Sequence, residues 1–134
     1  MPGYSGTPLP KKLGIKPGLR VRLKNAPGEV RAELHEALSQ CEVSERGNWL
    51  DFAMFFTKSQ TELKKHFGSV ERLLAPAGML WVSWPKKTSG VPSDLNENIV
   101  REIGLGAGLV DVKVCAVTDV WSGLKFVRRI RDRK

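Results

Sequence analysis

Leu50-Asp51-Phe52-Ala53-Met54-Phe55-Phe56 is apolar at every position but Asp51, the pattern of a strand covered on both faces. Just beyond it, Ser59-Gln60-Thr61-Glu62 is a capping box. The serine hydroxyl accepts from the amide three residues on, and the glutamate reaches back to the serine N–H. Leu63, Phe67, Val70, Leu73 and Leu74 then recur at helical spacing. Pro76 and Gly78 are expected to end that helix, and residues 79–84 read as another strand, stopped by Pro85. Strand, helix and strand in this order make a crossover unit that joins parallel neighbours.

Upstream, residues 1–18 hold Pro2, Pro8, Pro10, Pro17 and four glycines and read as an extended lead-in, with a short helical turn at residues 10–13. Leu19-Arg20-Val21-Arg22-Leu23 alternates apolar and basic residues, as a strand does, and Asn25-Ala26-Pro27-Gly28 closes it with turn chemistry. Residues 29–39 fit a helix with Val30, Leu34, Ala37 and Leu38 on one face. A weak strand follows at 41–43, and residues 44–48 turn the chain.

Downstream, Ser93-Asp94 opens a third helix, with Glu97 placed to complete a cap on Asp94. Leu95, Ile99, Ile103 and Ala107 face inward, and Gly108 ends the helix. Residues 110–117 alternate, 119–123 turn, and 124–130 form the last strand. The expected fold class is α/β: a mainly parallel sheet between helical layers, closed by a C-terminal antiparallel hairpin. The expected organisation is a lead-in over 1–18 and a single domain over 19–134.

The 134 residues, 41% hydrophobic and 27% charged, suit one compact unit. No apolar run reaches the ~20 residues that span a bilayer, and the polar, turn-rich opening is not a signal peptide. Cys41 and Cys115 stand far apart with no metal-ligand spacing, so a reduced, cytoplasmic protein is expected. The net charge of +8 is unevenly placed: residues 1–28 carry +6 with no acid, residues 125–134 carry +5, and the stretch between carries −3. Lys11, Lys12, Lys16, Arg20, Arg128, Arg129, Arg131 and Arg133 are the candidate polyanion-binding residues. Both basic ends are expected at one edge of the sheet, where they would hold nucleic acid weakly and without sequence choice; otherwise they are solvated ends.

Leu13-Gly14-Ile15-Lys16-Pro17-Gly18-Leu19-Arg20-Val21 resembles the lead-in to the first strand of class I S-adenosylmethionine-dependent methyltransferases. Leu73-Leu74-Ala75-Pro76-Ala77-Gly78-Met79-Leu80-Trp81-Val82 resembles their turn into the fifth strand, and residues 94–130 resemble their final helix and terminal hairpin. Tyr4-Ser5-Gly6-Thr7-Pro8-Leu9 and Trp84-Pro85-Lys86-Lys87-Thr88-Ser89-Gly90-Val91-Pro92 resemble a bacterial family of uncharacterised domains. The resemblance implies a three-layer, Rossmann-like fold.

The departures bear on activity. The family's glycine-rich cofactor loop corresponds to Leu23-Lys24-Asn25-Ala26-Pro27-Gly28, where one glycine remains and Pro27 removes a backbone donor. Glu42 and Glu45 are the stand-ins for its ribose-binding acid. Phe55-Phe56-Thr57-Lys58 stands where aminomethylating relatives carry an N/D-P-P-Y/F/W tetrad. The expectation is therefore no cofactor, no catalytic residue, and a binding or regulatory module for a protein or small-molecule ligand. The alternatives are a compact methyltransferase completed by oligomerisation and a basic nucleic-acid-binding accessory protein.

Other motifs weigh less. Gly104-Leu105-Gly106-Ala107-Gly108 closes a helix instead of opening one, so it reads as close packing and a C-cap, not a phosphate loop. His35-Glu36 lacks the second histidine of a zinc motif, Ser39 standing in its place, and no metal is expected. Ser122-Gly123-Leu124-Lys125 matches S-x-x-K but lies in a turn. Trp81 and Trp84, three apart on one strand, face opposite ways. Trp84 and Trp121 border turns and are taken as the exposed aromatic pair. With Lys86, Lys87, Thr88 and Ser89 they make up the candidate ligand or partner site, beyond the carboxyl end of a parallel strand where α/β sheets bind ligands.

Overall fold

A computed structural model describes residues 7–133; the first half of the 4–9 motif and Lys134 lie outside the described residues. Six strands form one sheet: β1 (Arg20–Lys24), β2 (Glu42–Val43), β3 (Leu50–Phe56), β4 (Leu74–Pro85), β5 (Leu109–Ala116) and β6 (Trp121–Arg128). Their order is β2-β1-β3-β4-β6-β5. The first four are mutually parallel, and β6 runs antiparallel to both β4 and β5. Helices α1 (Leu9–Leu13) and α2 (Gly28–Leu38) cover one face, and α3 (Gln60–Val70) and α4 (Glu97–Gly106) cover the other.

Alternation along the strands feeds two cores. Phe52, Met54 and Phe56 pack with Trp81, Val30, Leu34, Leu9 and Leu13 on the first face. Ala53 and Phe55 pack with Leu80, Val82, Phe67, Val100 and Phe126 on the second. The mainly parallel α/β sheet with its antiparallel C-terminal hairpin is as expected. The interval between β1 and β3 holds one helix and a two-residue strand, leaving the outer end of the sheet short. Among the described residues, no helix is long and apolar enough to cross a membrane.

Several local expectations are corrected. The helical turn expected at residues 10–13 forms as α1, one residue longer, and it buries Leu9 and Leu13 completely. Pro76 and Gly78 lie inside β4 and do not end α3. The register shifts between the Leu50–Leu74 and Phe52–Met79 pairs, and a Cβ on Gly78 would sit 2.4 Å from the Leu50 carbonyl oxygen. Only half the capping box forms: Ser59 Oγ accepts from the Glu62 amide, but Glu62 itself takes the Thr57 hydroxyl. Helix α4 is capped by Asn96, whose side chain accepts from the Ile99 amide. Asp94 instead accepts from the Gln60 amide, serving the first turn of α3. The last strand ends at Arg128, and Ile130 is 80% exposed in a 3-10 turn.

Candidate functional site

The chain leaves β1 toward β2 on one side and returns to β3 on the other, so the topological switch point lies at the carboxyl ends of β1 and β3. There Asn25 adopts φ 60°, a left-handed conformation that asparagine tolerates better than most residues. Its Nδ2 donates to the Phe56 carbonyl at 3.3 Å, tying the two strand ends together. Pro27 precedes α2 and supplies no side-chain cap. Behind this seam Phe56 meets Trp121 edge to face, with ring centroids 5.2 Å apart. The Ser83 hydroxyl, on the adjoining strand, is wholly buried and makes no hydrogen bond among the described residues.

The 84–92 loop follows β4 at this edge, as expected, but its aromatic pair does not form an exposed surface. Trp84 is 4% exposed and belongs to the α3–α4 core, because β4 is covered on both faces up to its last residue. Trp121 is half-buried against Phe56. Lys87 and Thr88 are exposed; Lys86 and Ser89 are half-buried. The Ser89 hydroxyl donates to the Lys86 carbonyl and accepts from the Val91 amide, and the Lys86 amide donates to the Val120 carbonyl at 2.7 Å.

The basic residues divide differently from the expected pairing of ends. Arg20 and Arg128 both lie at the amino edge of the parallel strands, yet each is engaged. Arg20 Nε meets Glu42 at 3.2 Å. Arg128, largely buried, binds Glu71 Oε1 at 2.6 Å and the carbonyls of Glu71 and Leu74, so it ties β6 to the start of β4. Arg131 and Arg133 are exposed and Arg129 is half-buried. Lys12 leaves the group, its Nζ donating to the carbonyl of Ala116 at the opposite, carboxyl edge. The buried leucines lay α1 across the sheet face, so the lead-in spans it instead of staying at one edge. Lys12 and Lys16 thereby come near Lys113 and Lys125, neither of which is among the candidate polyanion-binding residues.

On the other face, the short outer end of the sheet leaves a cavity of about 370 Å³ lined by Arg22, Lys24, Glu45, His66 and Ser69, among others. An adjoining cavity of about 220 Å³ adds Phe55, Glu62 and Lys65. Of the two candidate acids, Glu45 lines this cavity, whereas Glu42 pairs with Arg20. His66 stacks on Phe55 at 3.8 Å, a pairing detectable in sequence only once β3 and α3 are known to pack. Burial, then the Lys24 and Arg22 charges, lower its pKa from 6.5 to about 4, against the opposing pull of Glu62. Unfolded His66 thus takes a proton between pH 6.5 and 4 while the folded form resists it, so stability falls as pH drops through that window. Allowing for partial solvent access, the loss is about 1–2 kcal/mol. His66→Phe should abolish this component: the two stability curves should be parallel above pH 7 and diverge below 6.5. Curves parallel throughout would contradict it.

No protein-family model matches the chain, and no curated protein matches its sequence. Solved structures do match in shape. A SAM-dependent methyltransferase from Aquifex aeolicus aligns with TM-score 0.60 and 17% identity over 87% of this chain and 85% of that one. Magnesium protoporphyrin IX methyltransferase from Synechocystis PCC 6803, with bound SAM, aligns with TM-score 0.59 and 12% identity, covering 90% of this chain and 74% of that one. Aeropyrum pernix fibrillarin, with natively bound S-adenosyl-L-methionine, aligns with TM-score 0.55 and 9% identity, covering 93% and 70%. At these identities the likeness is one of fold: the chain has the Rossmann-like architecture of methyltransferase domains, with a reduced outer end.

Proposed function

We propose that this domain is a binding module on a methyltransferase-like scaffold, without methyl transfer of its own. The observation that supports this reading is the seam at the switch point. A nucleoside cofactor there needs close backbone approach and free donors. The seam offers instead a side-chain amide committed to the Phe56 carbonyl and a proline before the helix, and these groups do not fit such a cofactor. The partner-facing surface in this reading is the 84–92 loop, through the exposed Lys87 and Thr88, and the partner is a protein or a small-molecule ligand.

A second reading has its own support. The Aquifex aeolicus methyltransferase is of similar size, each chain covering most of the other, so a short chain is no bar to a compact methyltransferase completed by a second copy. Titration calorimetry with S-adenosylmethionine and with its demethylated product separates the two. The binding-module reading expects no saturable heat from either. Micromolar binding of either would overturn it in favour of the enzyme.

A further inference from the structure

Along β1, Val21 and Leu23 point into the α1–α2 core, so Arg22 and Lys24 point to the face that α3 and α4 cover. Those two helices pack over β3, β4 and β6. Over β1 the segment after β2 folds back in place of a helix, and Arg22 holds it there. Arg22 Nε donates to the Ser44 carbonyl at 3.2 Å and its Nη2 to the Gly47 carbonyl at 2.9 Å. The cavity of about 370 Å³ lies between this segment and α3, with Val70 and Leu73 as its apolar wall.

The charges facing this cavity do not match one another. Arg22 is half-buried, and its two partners are neutral carbonyls, which orient a guanidinium without neutralising it. They use two of its five N–H groups. Lys24 Nζ stands 5.9 Å from the centroid of the Phe55 ring, on which His66 stacks. Among the described residues, neither Arg22 nor Lys24 pairs with a carboxylate. With the adjoining cavity included, Arg22, Lys24 and Lys65 face Glu45 and Glu62, three positive charges against two negative. Glu62 already accepts from the Thr57 hydroxyl, and His66, with its pKa near 4, adds no charge at neutral pH. Half-burying a cation without an opposite charge costs solvation. Unmatched charge and a perturbed histidine in one recess form the pattern of a ligand site.

We propose that this cavity binds a small organic carboxylate, its charge held by Arg22 and Lys24 and its apolar body against Val70 and Leu73. The volume lies within the ~300–1,000 Å³ of small-ligand sites. The unused edge of a fixed guanidinium is a planar fork that suits a carboxylate. The single excess positive charge matches one carboxylate, whereas a phosphate dianion would overshoot it and would leave the apolar wall without a partner. The site lies on the sheet face opposite α1 and α2, so it stands or falls separately from the switch-point seam and from the 84–92 loop.

The test titrates benzoate into the full chain at pH 7 and follows the imidazole resonances of its two histidines by NMR. His66 lines the cavity, and His35, exposed on α2 at the opposite face, is the internal control. Benzoate should shift His66 saturably and leave His35 in place. Benzyl alcohol, with the same ring but no charge, and inorganic phosphate, with charge but no apolar body, should each bind about tenfold more weakly. Two exposed substitutions that leave the core intact should act with opposite signs: Lys24→Gln weakens benzoate about fivefold, and Glu45→Gln strengthens it about twofold. Benzoate that shifts neither histidine, or both alike, would overturn the proposal. So would benzyl alcohol or inorganic phosphate binding as tightly as benzoate, or an affinity indifferent to both substitutions.

Discussion

Trp81→Ala lowers the unfolding free energy by about 3–5 kcal/mol, the range for removing a buried tryptophan. Trp81 is 0% exposed at the centre of the α1–α2 core, in register with Met54 on one side and Lys125 on the other. Its Nε1 donates to the Leu13 carbonyl at 2.9 Å, so one side chain both fills the core and anchors the end of α1. Trp81→Phe keeps most of the apolar contact and loses the hydrogen bond, leaving the Leu13 carbonyl without that donor; about 1–3 kcal/mol is expected. Urea denaturation of both variants measures this. A cost below about 1 kcal/mol for the alanine variant would mean that α1 does not dock and that the lead-in is extended, because ordinary exposed substitutions stay near ±0.5 kcal/mol.

Gly104→Ala loses about 1–3 kcal/mol, the range for overpacking a core, and Gly106→Ala loses nothing. A Cβ at Gly104 would lie 2.1 Å from a ring carbon of Phe126, whereas one at Gly106 meets nothing within 4 Å. Phe126 cannot retreat easily: it is 0% exposed and meets Phe67 edge to face at 5.4 Å. The added methyl therefore pushes α4 off the sheet. Gly106 is exposed in the last turn of α4, where alanine is the better helix former by roughly 0.5–1 kcal/mol. Thermal or chemical unfolding of the two variants side by side distinguishes a packing glycine from a solvent-facing one. Equal costs at both positions would contradict the close helix–sheet contact and reopen a loop role for the glycine run.

Local chemistry was enough for much of the fold. The 50–56 run, the helical spacing after Ser59 and the closing alternation all place elements correctly, because each is set by side chains within one turn or one pleat of each other. The Gly104–Gly108 stretch was legible as packing for the same reason: glycines that end a helix serve the helix. Expectations failed where a residue's partner lies far away in sequence. Asp94 stands where it would cap its own helix but serves α3, 34 residues back, and Pro76 and Gly78, residues that ordinarily stop a helix, sit in a strand irregularity opposite β3.

The candidate site shows the same division. Position beyond the carboxyl end of β4 followed from strand direction alone, so the 84–92 loop lies where expected. Whether Trp84 is exposed there depends on Leu95 and Val100, which cover it from a later segment. Sequence counted the charges at the two ends, but it could not pair Lys113 with Lys125 or bring Lys12 to Ala116. Those contacts join residues 12 apart and 104 apart. Composition and short-range pattern therefore determined the class of fold, the order of most elements and the excess of positive charge. Tertiary structure alone decided which charges are neutralised, as at Arg128, and which are gathered on one face, because strand register and the docking of α1 are long-range choices set by how two cores fill.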